Sequence, residues 1–282
     1  MVTGGSGGIG RVSAAALAAR GDEVVIVARA SGRGAEVAAQ LSEQHNRAVH
    51  FLPCDLGSMA DVRRAVASFR ERWSRLDVLM LNAGAYFHQR QETAEGFEAT
   101  WALNHLGVAL PALLLADLLV TSAPARVIIT SSNAAMATKM HWDDLQRQRY
   151  SAMGAYAQSK LANQVFTLAL AERFLGRGVS VHAMHPGFVA TDFAGEAGAL
   201  APLIRLSQRL FGRSPEQGAD TLTFLAEDPA ALASSGAYWV DRKARKMAPG
   251  ALEAGAPERL WQATLQQLQV SEAELPEAIR QA

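Results

Sequence analysis

Tyr156 and Lys160 stand four residues apart in the stretch YAQSK, a spacing that puts both on one face of a helix and lets them act on one ligand. A free tyrosine titrates near ~10 and is a poor acid or base at neutral pH, but an ammonium beside it favours the anion and draws that value down. Ser132 closes the run TSS at 130–132. At a strand end its hydroxyl can hold a carbonyl or alkoxide beside Tyr156 for proton transfer. Taken singly, a Tyr–Lys pair is a common helix-surface pair and a serine at a strand end a common turn residue. It is their joint presence that points to acid–base chemistry on an oxygen.

The second constellation is TGGSGGIG at residues 3–10. Gly4 can make the sharp turn out of a strand, Gly8 can admit a pyrophosphate to the backbone, and Gly10 can let the next helix pack closely. A helix starting near Ile9 would aim its N-terminal dipole and free N–H groups at phosphates. Gly4, Ser6, Gly8, Ile9 and Gly10 are therefore the candidate phosphate contacts; a merely flexible glycine-rich terminus is the bland alternative. Context decides between them, because a β-branched run follows at the right distance and ends in Ala28-Arg29. Alanine leaves a ribose 2′-hydroxyl without an acceptor, whereas Arg29 offers a planar fork to a 2′-phosphate, which favours NADP(H) over NAD(H). The competing reading of Arg29 is a solvated charge at a strand end.

The elements that must position these groups follow from the hydrophobic pattern. Apolar runs at 23–29, 48–52, 76–82, 125–132 and 179–185 alternate with helical stretches near 9–20, 33–45, 58–74, 97–120, 154–175, 215–227 and 256–269. This is the signature of βαβ units, and strands so uniformly apolar belong to a parallel sheet covered on both faces. No linker, repeat or low-complexity run divides residues 1–282, so one domain is expected. Residues 193–215 mix Gly and Pro with an amphipathic segment and read either as a substrate lid or as an ordinary surface connection.

Composition excludes several classes. Lys plus Arg (27) equal Asp plus Glu (27), leaving no basic excess for nucleic acid or an acidic membrane. The single cysteine, Cys54, rules out an intrachain disulfide and a cysteine metal cluster, which fits a reducing, cytoplasmic setting. The apolar stretch 107–120 carries Pro111 and Asp117 and is too short to span a bilayer comfortably. No signal peptide is evident. No His/Asp/Glu/Cys group has metal-ligand spacing.

TGGSGGIG (3–10), Ala28-Arg29, CDL (54–56), LNAG (81–84), LNHLG (103–107), TSS (130–132), AYAQSKLAN (155–163) and HPGFVAT (185–191) occur in an order that resembles the short-chain dehydrogenase/reductase family, and within it the retinol-dehydrogenase-like branch. The resemblance spans nearly the whole chain and implies a doubly wound (Rossmann) sheet. It also implies roles: Asp55 and Leu56 flank the adenine, and Asn82, Ala83 and Gly84 line the cofactor. Asn104 props a water that gives Tyr156 a proton route, and Lys160 binds the nicotinamide ribose. Pro186, Gly187, Val189 and Thr191 shape the nicotinamide pocket. His105 and His185 read as packed structural histidines. The helices near 97–120 and 154–175 match those that pair in family dimers and tetramers, so a homo-oligomer is expected.

The resulting expectation is an NADP(H)-dependent oxidoreductase interconverting a carbonyl and an alcohol, reduction being the family's commoner direction with NADPH. Met136, Met140, Trp142, Phe188 and Phe193 would border the pocket, which suits a bulky apolar or aromatic small molecule. Two rivals stay open: a silent nucleotide-sensing protein, and a lyase, cyclase or isomerase that reuses the Tyr/Lys pair without redox change. Finally, only Met1, Val2 and Thr3 precede the glycine loop, where a central strand of about five residues is needed. The first strand therefore reads as truncated, with further apolar residues expected upstream.

Overall fold

The computed structural model describes residues 1–187 and 213–280. One eight-stranded sheet runs in the order β3-β2-β1-β4-β5-β6-β7-β8. Its strands are β1 (Val2–Thr3), β2 (Val24–Ala28), β3 (Val49–Pro53), β4 (Val78–Leu81), β5 (Ala125–Thr130), β6 (Val179–His185), β7 (Ala237–Val240) and β8 (Lys243–Arg245). All pairs are parallel except β7 with β8. This is a doubly wound sheet with an antiparallel edge.

The helices are α1 (Gly8–Ala19), α2 (Gly34–His45), α3 (Met59–Arg72), α4 (Ala99–Trp101), α5 (Gly107–Leu114), α6 (Ala116–Thr121), α7 (Ala152–Arg173), α8 (Pro215–Glu227) and α9 (Ala256–Leu268). Three of these starts are capped by serines: Ser58 and Ser151 accept from Asp61 N and Gly154 N, and Ser214 forms a capping box with Gln217, Pro215 being the first helical residue.

Alternation along each strand sorts the core into two layers. Val25, Val27, Leu79, Leu81, Val127 and Ile129 pack with α3, α5, α6, α7 and α9. Val2, Val24, Ile26, Met80, Ile128 and Met184 pack with α1, α2 and α8. The central strands β2, β4, β5 and β6 therefore bury both faces, which is why the sequence shows continuous apolar runs there.

Two features differ from the sequence expectations. The helix expected over 97–120 is interrupted by a π-helical turn (Ala102–Leu106) and again at Leu115, whose φ of −108° and ψ of 8° leave the helix. Strands β7 and β8 were not expected: β7 is only four residues, and β8 is Lys-Ala-Arg, fully exposed and without an apolar pattern. Helix α7 also carries packing from within the chain. Trp261 of α9 stacks on Phe166 of α7 at 5.9 Å, and buried Leu275 and Ile279 join the same layer.

β1 is short but bonded on both sides. Val2 and Thr3 pair with Ile26 and Val27, and Val2 with Met80. Met1 adds two bonds to β4: its amino group donates to Val78 O at 2.8 Å and its carbonyl accepts from Met80 N at 2.9 Å. Among the described residues no helix is long and apolar enough to cross a membrane.

Candidate active site

The C-terminal ends of β1, β2, β4 and β5 open onto one edge of the sheet, where the expected site residues gather. Thr3 organises the first crossing. Its hydroxyl donates to Met80 O at 3.2 Å and accepts from Asn82 N at 2.9 Å and Ala83 N at 3.1 Å. Asn82 returns the tie, donating from Nδ2 to Thr3 O at 3.2 Å and accepting at Oδ1 from Thr130 Oγ1 at 3.4 Å. Side chains thus continue the ladder where the short strand stops.

The glycine loop turns above this junction. Gly4 adopts φ +68°, open to glycine at little strain. A Cβ on Gly10 would fall 2.3 Å from Gly4 O and 2.9 Å from Asn82 Nδ2, so only glycine lets α1 begin this close to the loop. Ser6, Gly8 and Ile9 lie half-buried along the same turn. Helix α1 starts at Gly8 with no side-chain cap and no acidic residue in its first turn, and a Cβ on Gly7 would meet nothing within 4 Å. Its first N–H groups are left for an anion. Arg29 is exposed just beyond β2. Asp55 spends one carboxylate oxygen on Gly57 N at 2.9 Å, and Leu56 is buried with its carbonyl against Gly107.

Across β5, the π-helical turn brings in buried Asn104. Its Oδ1 accepts from Ala85 N at 2.8 Å, and its Nδ2 donates to Ala85 O at 2.9 Å and Ser159 Oγ at 3.1 Å. The side chain thereby holds the loop after Asn82-Ala83-Gly84 against α7. A Cβ on Gly84 would stand 3.1 Å from both Asn104 Oδ1 and Lys160 Nζ.

Tyr156 and Lys160 occupy consecutive turns of α7. Lys160 Nζ lies 5.7 Å from the Tyr156 ring centroid and donates to Thr130 O at 3.1 Å. Ser132 follows β5, accepts from Ala134 N at 3.2 Å and shares a side-chain hydrogen bond with Tyr156. Burial pushes the Tyr156 phenol up to about 12, with the Ser132 bond acting the other way, and pushes the Lys160 ammonium down to about 8. The expected lowering of Tyr156 is therefore not present in the protein alone, because desolvation penalises the charged forms of both groups.

Pro186 and Gly187 follow β6, half-buried, and Gly187 has φ +84° with the Arg213 side chain packed against it. Arg213 in turn pairs with Asp241. Phe188, Val189, Thr191 and Phe193, and with them residues 193–212 of the stretch 193–215 read as a lid or a surface connection, lie outside the described residues. His105 and His185 are both pushed down to about 4, burial being the main cause. Among the described residues no group of three or more His, Cys, Asp or Glu could hold a metal ion.

Several residues with evident roles were not singled out from the sequence. Thr3 and Asn163 lie inside quoted motifs without a distinguishing signal. Tyr86, whose ring meets Tyr156 edge-on at 5.8 Å, follows the LNAG motif by two residues and could have been found from that position.

A glycine loop over the central strand of a doubly wound sheet, with a serine, tyrosine and lysine at the end of β5, defines a Rossmann-type oxidoreductase site. The short chain dehydrogenase family model matches residues 1–200, and the chain belongs to that family, in its retinol-dehydrogenase-like branch. It is 34% identical to human (Homo sapiens) retinol dehydrogenase 14, covering 93% of this chain and 83% of that protein. Mouse (Mus musculus) retinol dehydrogenase 12 is 37% identical over the same shares. Among solved structures, the Pseudomonas aeruginosa RhlG/NADP active-site complex has a TM-score of 0.68 and 30% identity, covering 84% of this chain and 91% of that one. A Burkholderia cenocepacia J2315 short chain dehydrogenase in complex with NADP has a TM-score of 0.67 and 28% identity, covering 89% and 96%.

Proposed function

We propose that this chain is an NADP(H)-dependent oxidoreductase that interconverts a carbonyl and an alcohol on a bulky apolar or aromatic small molecule, with Tyr156 as the acid/base group. The observation that carries the reading is the meeting of Ser132, Tyr156 and Lys160 beside the glycine loop.

The uncapped start of α1 suits a pyrophosphate, with Gly4, Ser6, Gly8, Ile9 and Gly10 as its cradle. Arg29 suits a 2′-phosphate, and its exposure leaves the guanidinium fork available. Asp55 and Leu56 would flank the adenine, and Asn82, Ala83 and Gly84 would line the cofactor. Lys160 would hold the nicotinamide ribose, and Pro186, Gly187, Val189 and Thr191 the nicotinamide. When bound, the cofactor exchanges a hydride with the substrate carbon.

The chain's own residues do the rest. Ser132 holds the substrate oxygen, and Tyr156 gives it a proton in reduction or takes one in oxidation. The raised Tyr156 pKa keeps that proton in place at neutral pH, ready for transfer to the substrate oxygen. The Lys160 ammonium, still mostly charged below about 8, stabilises the anion left on Tyr156. Asn104 fixes the loop and the α7 turn between which these groups sit.

Two observations support the substrate class. Met136 and Met153, 43% and 59% exposed, follow Ser132 by four residues and precede Tyr156 by three. Such exposed thioethers adapt to irregular apolar ligands. Tyr86 adds an aromatic edge, itself in contact with His88 at 5.0 Å.

Incubation with NADPH and a panel of aromatic and alicyclic ketones and aldehydes, read by mass spectrometry, tests the reading. The expected product is heavier than its substrate by two hydrogens. Isomeric or cleaved products, or NADPH left unconsumed across the panel, would overturn it.

A further inference from the structure

Asn133 follows Ser132 directly, at the first position of the 3-10 turn Asn133–Ala137, which Ser132 caps by accepting from Ala134 N. The residue is exposed, yet one end of its amide is fixed. Tyr238 of β7 donates from its hydroxyl to Asn133 Oδ1 at 2.9 Å, a contact between residues 105 apart in the chain. Tyr238 is 1% exposed and belongs to the core layer on the α7 side of the sheet. It pairs with Ala183 of β6, and Ala183 pairs with Ile129 of β5, so its ring stands in the cross-strand row that meets β5 three residues before Ser132. The phenol thus reaches the turn from the covered side of the sheet.

We propose that Asn133 is a specificity-determining residue of the site, its Nδ2 donating to a second oxygen of the substrate while Ser132 holds the reacting one. The inference rests on the reading of Ser132, Tyr156 and Lys160 as a site that interconverts a carbonyl and an alcohol. The orientation of the amide follows from what each atom can do. A phenol proton buried with Tyr238 needs an acceptor, and Asn133 Oδ1 is the one it has among the described residues. Turning the amide over would set Nδ2 against the hydroxyl and orphan that proton in a dry place. Burial pushes the Tyr238 phenol up, and Tyr156, close enough to act on it, pushes the same way, so the proton stays on at neutral pH. With Oδ1 held, Nδ2 faces away from Tyr238 and has no hydrogen-bond partner among the described residues.

This placement narrows the substrate class. Ser132 and Asn133 are chain neighbours, with Cα atoms about 3.8 Å apart. The two oxygens they would hold therefore sit close together on the ligand, the second on the carbon next to the reacting carbonyl or one carbon further. The class is a carbonyl compound bearing a hydroxyl, ether or second keto oxygen beside its reacting group. An all-carbon analogue would cover Nδ2 and strip it of water without giving it an acceptor, which sets the analogue at a disadvantage. Met136, in the same turn and 43% exposed, is placed for the apolar remainder. An asparagine that only braced Tyr238 would stay in water and discriminate nothing.

The test uses 2-methoxyacetophenone and butyrophenone, which match in size and differ by an ether oxygen in place of a methylene. With NADPH, the ratio of kcat/KM for the ether ketone over the alkyl ketone should fall by ~10-fold or more from the parent to Asn133→Leu. It should fall part of the way in Tyr238→Phe, where the amide loses its anchor. Comparing ratios cancels both the intrinsic reactivity of the two ketones and any general loss of activity, so a merely structural role for Asn133 would not move them. The same ratio in parent and Asn133→Leu overturns the proposal; Asn133→Ala takes its place if the leucine variant does not fold. Isothermal titration of both ketones into protein holding NADP+, where no reduction can occur, repeats the comparison as dissociation constants. A parent that reduces neither ketone but binds the ether more tightly, with that preference lost in Asn133→Leu, defeats the proposed function and leaves the role of Asn133 standing. A parent that binds neither ketone, or both equally, overturns that role.

Discussion

Tyr156 pushed up to about 12 beside Lys160 pushed down to about 8 is a pair in which burial favours a neutral phenol and weakens the ammonium's hold on its proton. The phenol proton is thus stored until an oxygen held by Ser132 develops negative charge. Tyr156→Phe removes that proton and little else, so turnover should vanish while NADPH affinity, measured by fluorescence titration, stays within a few fold. Activity within tenfold of the parent would sink the assignment. Ser132→Ala should lower kcat by about 10²-fold, the scale of losing one oriented donor to a developing oxyanion. Arg29→Asp tests the cofactor preference at the other end of the site. A carboxylate there repels a 2′-phosphate and accepts from a 2′-hydroxyl, so the ratio of kcat/KM for NADPH over NADH should invert. A parent that uses NADH as well as NADPH would remove the role given to Arg29.

Between elements, the decisive contacts are close approaches that tolerate no extra atom. Gly10 lies where α1, the glycine loop and Asn82 converge, and a Cβ there must move backbone rather than a side-chain tip. Gly10→Ala should lower stability by about 1–3 kcal/mol in urea unfolding and weaken NADPH binding. Gly7→Ala, whose Cβ meets nothing within 4 Å, is the control and should stay within ~0.5 kcal/mol. Equal stability for the two variants would refute the close-packing account. Much of this layer was legible beforehand: α1, α2, α3, α7, α8 and α9 start and stop within two residues of the sequence reading because apolar spacing marks them. The breaks in the 97–120 helix were not, since π turns have no propensity signature and this one is held by Asn104 bonds to residues far along the chain.

For the whole molecule, the buried histidines contribute to the acid response. His105 and His185 are both pushed down to about 4 and His182 is also lowered, with burial the leading cause in each case. These are bases whose native pKa lies below the unfolded value, so the unfolded chain binds protons first as pH falls. The histidines' contribution to stability should therefore be full above about 6.5, decline as pH drops toward 4, and level off below that. His105 alone accounts for about 3 kcal/mol over this window. Urea unfolding at pH 7, 6, 5 and 4 should show the fall; a flat profile would mean the imidazoles ionise in place.

What the amino-acid sequence determined by itself is local and periodic: which runs are strands buried on both faces, where most helices lie, that a glycine loop precedes a helix, and that Tyr156 and Lys160 share one helical face. Those properties depend on neighbours a few residues apart, so spacing reveals them. What only the tertiary structure decided is long-range. Thr3 ties β1, β4 and the loop beyond Asn82, although no pattern within the chain links residue 3 to residues 80–83. Burial reverses the expected direction of the Tyr156 shift, because desolvation depends on everything packed around the phenol and not on the lysine four residues on. Thr264 reaches His105 only because α9 folds back over α7, a contact made across 159 residues of chain.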